Sequence, residues 1–208
     1  MKTFVHALPI LLALPILLAL PTAPAFANDS AYTDLDTDRC KTLEQEEEGA
    51  SIVLECKGLK DQPVIYKEGD LRQAVLYGKV SKAYIDGTYE TFGPFNYTGR
   101  RIEWRLDRKG TAFAAIQRWF ISNSGAMEAG PAPADTGQVL VVSKVAGDDG
   151  KSCVVGYVDA LANPDPNRLA RDIADTLANG FRCGTDTPTF HGVRGPHAAD
   201  PMRSFLTP

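Results

Sequence analysis

The sequence predicts an α+β fold: an antiparallel β-sheet of two or more hairpins, one C-terminal helix packed on it, and disulfides stapling the body. Three observations lead there. Residues 101–107 (RIEWRLD) alternate, with Ile102, Trp104 and Leu106 on one face and Arg101, Glu103, Arg105 and Asp107 on the other, the period of a half-buried strand. Residues 138–145 (QVLVVSKV) and 152–159 (SCVVGYVD) are two β-rich runs joined across the polar turn Gly147-Asp148-Asp149-Gly150. Residues 166–179 then change period: Leu169, Ile173 and Leu177 recur every fourth residue, with Ala170, Ala174 and Ala178 alongside.

From the N-terminus, Lys2 precedes an uncharged apolar run over residues 7–20, and Ala25-Phe26-Ala27 forms a small-x-small pattern. Residues 1–27 therefore read as a signal peptide cleaved after Ala27. The run is too short, and too interrupted by Pro9 and Pro15, to serve as a transmembrane anchor, which needs about 20 apolar residues. Residues 28–39 are a polar lead-in and residues 40–183 a single globular α+β domain. Residues 184–208, with prolines, glycines and small residues but no periodicity, read as a mobile tail.

Within the domain, the acidic stretch 42–49 (TLEQEEEG) reads as a solvated loop or a turn of helix. Residues 51–55 and 63–67 are short β-rich pieces, and residues 71–77 form a third that Gly78 ends. Asp86-Gly87 marks a turn. Residues 89–97 (YETFGPFNY) gather four aromatics around Gly93-Pro94 and read as a loop. Arg108-Lys109-Gly110 turns the chain into residues 112–121 (AFAAIQRWFI), apolar on both faces as in a central strand. Residues 122–136, rich in Gly, Ala and Pro, are a loop. Asp165 suits the N-cap of the helix, Pro166 its first position, and Gly180 ends it.

Composition bounds the function. The 208 residues are 44% hydrophobic and 23% charged, near globular averages, and a net charge of −4 offers no general attraction for nucleic acid or anionic lipid. The four cysteines are Cys40, Cys56, Cys153 and Cys183, an even count that favours disulfides in an oxidising compartment. No C-x-x-C is present, which argues against a zinc knuckle or a thioredoxin-type site. Element lengths choose the pairing. A strand over residues 153–159 runs about 20 Å and a helix over residues 166–179 about 21 Å. A helix folding back along that strand returns Cys183 to Cys153, which leaves Cys40 with Cys56.

The stretches FGPFN, RIEWRL, AFAAIQRWF and SCVVGYVDALANPDPNRLARDIAD resemble a group of small exported periplasmic proteins of alphaproteobacteria that have no assigned function. The resemblance spans most of residues 40–183. It implies a periplasmic or secreted location and supplies no catalytic residues.

Reactive chemistry is sparse. Of three histidines, His6 leaves with the signal while His191 and His197 lie in the tail, a poor supply for a Ser-His or Cys-His nucleophile. Asp34, Asp36 and Asp38 open like a calcium loop. Arg39 then stands where a glycine is needed and Gln45 where a bidentate glutamate is needed. There is neither a Gly-rich phosphate loop nor a dinucleotide fingerprint, so no metal and no cofactor is expected.

Two contact chemistries remain. Tyr89, Phe92, Phe95 and Tyr97, with Arg101, Arg105 and Arg118 nearby in sequence or across a hairpin, are residue types favoured at binding interfaces. The same aromatics would also serve to cap an open end of the sheet. Glu103 and Asp159 are the candidates for a hydrolytic carboxylate pair. Their competing roles are cross-strand pairing with arginine for Glu103 and backbone binding in the strand-to-helix turn for Asp159. The sequence thus points first to an exported periplasmic or secreted binding protein without catalytic activity. Its partner would be an envelope protein or an anionic envelope component, with no nucleic acid and no stable membrane insertion after signal cleavage. The alternative is a cell-envelope hydrolase.

Overall fold

The structure is a computed structural model that describes residues 1–2, 28–46, 50–123 and 135–205. The expected signal with its cleavage site, and residues 124–134 of the expected loop, lie outside the described residues. Among the described residues, twelve strands and two α-helices follow one another. Strand β1 (Asp29–Asp34) leads to β2 (Lys41–Gln45), β3 (Ser51–Leu59), β4 (Gln62–Gly69) and β5 (Arg72–Gly78). A short helix α1 (Lys82–Gly87) precedes β6 (Thr88–Phe92), β7 (Asn96–Leu106), β8 (Ala112–Ile121), β9 (Gly137–Ala146) and β10 (Val154–Asp159). Helix α2 (Pro166–Leu177), β11 (Thr189–Phe190) and β12 (Pro201–Phe205) complete the chain.

The main sheet has the order β1-β7-β8-β9-β5-β4-β3-β2, with β10 and β11 branching from β9. The branch is built into β9 itself. Most of its length lies antiparallel between β8 and β10, while Val145 and Ala146 pair in parallel with Tyr77 and Gly78 of β5. The sheet is therefore mixed and curled on itself, where hairpins alone would have made a purely antiparallel one. Its mostly β composition, the C-terminal helix and the two disulfides are as the sequence predicts.

Curling brings the two arms face to face around the main core. Ile102 and Trp104 of β7 and Ala115 and Trp119 of β8 meet Val64, Tyr66, Val75 and Tyr77 from the other arm. Gln117, 1% exposed, is tolerated there because its side chain accepts from Tyr77 Oη and donates to the Gly99 carbonyl at 2.7 Å. The opposite face of β8, β9 and β10 carries Ala114, Ile116, Leu140, Val142, Val155 and Val158. Helix α2 covers it with Ala170, Ile173, Ala174 and Ala178, small residues that admit close approach. Asp165 caps α2 by accepting from the Arg168 N–H, and Pro166 follows in the first turn, as read from the sequence. Helix α1, absent from the sequence reading, covers Ile65 and Leu76 with Ile85.

Several segments depart from the sequence expectation. The polar lead-in is strand β1, paired with β7 from Asp29↔Leu106 to Asp34↔Arg101. The acidic stretch begins as β2, an exposed edge strand on β3. The segment after Cys183 is held to the body where a mobile tail was expected. Here β11 runs parallel to β10, Phe190 stacks on Tyr157 at 5.2 Å, Ala198 is buried and β12 pairs with β6. Edge pairing satisfies backbone groups without requiring a hydrophobic period, so composition gave no sign of it. Among the described residues no helix is long and apolar enough to cross a membrane.

Both disulfides join the expected partners, Cys40–Cys56 with Cα atoms 4.4 Å apart and Cys153–Cys183 with Cα atoms 5.6 Å apart. The second fastens the start of β10 to the chain leaving α2. Replacing Cys153 and Cys183 together by alanine should lower the unfolding free energy in urea by about 3–4 kcal/mol, since the link closes a loop of 30 residues. Phe92→Ala should cost about 3–5 kcal/mol in the same assay, because this ring is 1% exposed and lies edge-on to Trp119 and Tyr157.

Candidate functional site

The side of α2 that overhangs β7 presents Asn167, Arg171 and Asp175, spaced four residues apart and hence stacked on one flank. Beneath them, the outward-facing residues of β7 are Arg105, Glu103 and Arg101. The two series meet as rungs of a ladder. At the first rung Arg105 donates from Nε and Nη2 to the two Asp175 carboxylate oxygens at 2.9 and 2.7 Å. It also donates to Ser30 Oγ and to the Asn28 carbonyl. Burial works against its charge, but the Asp175 bonds and the nearby Glu103 outweigh it, and the Arg105 pKa is raised. At the second rung the signs reverse. Glu103 accepts from Ser30 Oγ at 2.6 Å and from Arg171 Nη1 at 3.4 and 3.5 Å.

At the third rung the helix offers no matching acid. Arg101 of β7 and Arg118 of β8 stand below, and the helix offers the neutral amide of Asn167. Arg118 donates to Gln138 Oε1 at 3.0 Å, and no carboxylate among the described residues lies within ion-pair distance of it. Burial, with no acid to offset it, lowers the Arg118 pKa. Arg101 is exposed, 3.8 Å from Asp34, and stacks on the Tyr32 ring at 4.9 Å. These groups enclose a groove of about 300 Å³. Ile116 and Leu140 contribute an apolar floor, Tyr32 and Glu103 the side toward β1, and Arg101, Arg118, Arg171 and Asn167 the polar walls. Such an arrangement can hold an anion against several forked donors.

The contact region read from the sequence is only partly brought together. Arg101 and Arg118 line the groove, while Tyr97 is outside its lining, stacked on Phe120, which shares the outer face of β8 with Arg118. Arg105 is a correction: it is buried under α2 as a structural ion pair. Phe92 is a second correction, a core residue where a loop contact was expected. Tyr89 and Phe95 are half-buried. The Tyr89 hydroxyl donates to the Arg72 carbonyl, and the Arg72 guanidinium lies over the Phe95 ring at 5.1 Å. This segment is therefore strand, tight turn and strand. Asn96, fully buried, braces the turn by donating to Thr91 Oγ1 and to the Pro94 carbonyl.

The carboxylate pair is not assembled. In register, Glu103 lies opposite Ile116, then Val142, then Gly156, so it is three strands away from Asp159 and three residues off its row. That spacing is about 17 Å. The two also face opposite ways, since Glu103 is paired with Ile116 of the helix-covered face and Asp159 with Val139 of the main core. Such a pair cannot flank one glycosidic bond. Asp159 instead accepts from the Leu161, Ala162 and Gly195 N–H groups. Among the described residues no three His, Cys, Asp or Glu side chains converge as a metal site. His191 and His197 both belong to the segment after Cys183, where the His191 N–H donates to the Tyr157 carbonyl.

Tyr32, Asn167 and Arg171 were missed by the sequence reading. The signal for the latter two was present in their four-residue spacing with Asp175, and for Tyr32 in the alternation of Ser30, Tyr32 and Asp34. Compared with protein-family models, curated proteins and solved structures, the chain shows no significant match to any of them.

The ladder makes its first and third rungs distinguishable. Arg105→Ala should cost about 3 kcal/mol in urea unfolding, because it strands Asp175 beside buried neighbours, whereas Arg101→Ala should stay within about 0.5 kcal/mol of the parent.

Proposed function

We propose that this is an exported binding protein of the periplasm or extracellular space, without catalytic activity, whose groove beside α2 engages an anionic partner of the cell envelope. One observation carries the reading. The charges between α2 and the sheet are matched at two rungs, and the third leaves Arg101 and Arg118 facing a groove with no acid on the helix side. An unmatched guanidinium in a partly buried site costs desolvation that a bound anion offsets. Export is supported by the N-terminal pattern of residues 1–27 and by two disulfides, which persist in oxidising compartments. The separation of Glu103 from Asp159 favours binding over the hydrolase reading.

The test uses the oxidised mature protein and a washed envelope fraction. Retention should occur at low salt and fall as ionic strength rises, and the variant with both Arg101→Ala and Arg118→Ala should be retained at least about tenfold less. Equal retention of parent and variant would refute this assignment.

A further inference from the structure

We infer that the group the groove takes is a phosphate monoester in its doubly charged form, held by Arg118 from below, Arg101 from the side and Arg171 with Asn167 from the helix. This deepens, and rests on, the reading of the groove as an anion-binding site. Three features of the site select the ligand class. The first is charge: three guanidiniums face Glu103 in the lining and Asp34 beside Arg101, so the site stays net positive and its attraction grows with the charge of the anion. The second is direction. The donors rise from two adjacent strands and descend from a helix, so they line the groove from several sides. A tetrahedral oxyanion with three terminal oxygens can meet donors from several directions, whereas a planar carboxylate is satisfied by one fork.

The third feature is room. A space of about 300 Å³ equals about ten water volumes, more than one phosphate fills. The remainder lies over Ile116 and Leu140 with Tyr32 to one side, which suits the small carbon skeleton that the phosphate esterifies. Arg171 reaches Glu103 through Nη1 alone, at 3.4 and 3.5 Å, so its other guanidinium nitrogens can donate to the ligand while that pair holds.

The charge state gives the experiment its readout. Monoesters lose their second proton near pH 6. The protein groups facing the bound anion are Tyr32 and Asp34 from β1, Arg101 and Glu103 from β7, Arg118 from β8 and Arg171 from α2, while β9 contributes Leu140. No imidazole is among them, and the ligand's own second proton is lost within this range.

Calorimetric titration of the oxidised mature protein should use glycerol phosphate, inorganic phosphate and acetate as probes at about pH 5.5 and about pH 7.5. Glycerol phosphate should bind several-fold more tightly at the higher pH, and more tightly than acetate at both. Arg118→Ala should weaken it at least about tenfold, Arg118→Lys less, and Arg101→Ala several-fold without change in melting temperature. Arg168→Ala, on the exposed side of α2 and paired with Asp165 and Asp172, should leave binding unchanged.

A second arm separates the sources of the ester. Binding to phosphatidylcholine vesicles only when they contain phosphatidic acid, with weak binding of glycerol phosphate, assigns a lipid headgroup; the reverse assigns a soluble ester, and either supports the inference. Acetate binding as tightly as glycerol phosphate, or affinity indifferent to pH or to Arg118, overturns it. If the double variant loses envelope retention while no phosphate probe binds, the phosphate class falls and the anion contact stands. If retention is also unchanged, both fall.

Discussion

Charges cannot be buried between a helix and a sheet unless each finds a partner, and this constraint fixes where α2 lies. Its alanines set the distance from β8, β9 and β10, but small apolar contacts alone would let the helix slide along the sheet. The Arg105–Asp175 and Glu103–Arg171 pairs stop that sliding, because their signs alternate and a shift of one turn would set like charges opposite one another. Two rungs suffice to hold the helix. The third is thereby free to be left incomplete, and the cost falls on Arg118, half-buried with an amide as its partner.

The same region gathers distant parts of the chain. Strand β1 supplies Ser30 to both Arg105 and Glu103 and Tyr32 to Arg101, so the first strand and the last long helix are tied through β7. Strand β9 does comparable work on the other side. By pairing with β8, β10 and β5 it closes the curl that buries Trp104 and Tyr77, and it places Leu140 under the groove. The Cys153–Cys183 link then holds the far end of α2 to the start of β10. Site and core are parts of one arrangement, and the groove lies between the sheet and the N-terminal turns of the helix.

How far the sequence spoke depended on which physical signal each element left. Strand β7 was legible from the alternation around Trp104, and α2 from its period and its cap. The disulfides followed from the lengths of a strand and a helix. Alternation, however, says that a strand has two faces and not what covers each of them. Arg105 and Glu103 read as solvent-facing because the covering helix lies about 60 residues further on. Phe92 sits in a run broken by Gly93-Pro94, so no period marked it as core. Strand β1 is polar on both faces and left hydropathy silent. The turn between β4 and β5 uses Asp70 and Leu71, at φ of 49° and 56°, in a conformation usually signalled by glycine or asparagine. For the groove, Arg101 and Arg118 were legible as residue types suited to contact, but their convergence with Arg171 depends on the helix docking.

At the third rung the helix sets no acid across from Arg101 and Arg118, and supplying one there tests the ladder most directly. A double-mutant cycle of Asn167→Asp with Arg118→Ala, followed by urea unfolding, isolates the interaction between those positions from the general benefit of an acid near a helix N-terminus. A favourable coupling of about 0.5–1 kcal/mol is expected. A coupling indistinguishable from zero would mean that Arg118 does not face the helix across the groove, and the ladder would end at two rungs with no site beyond them.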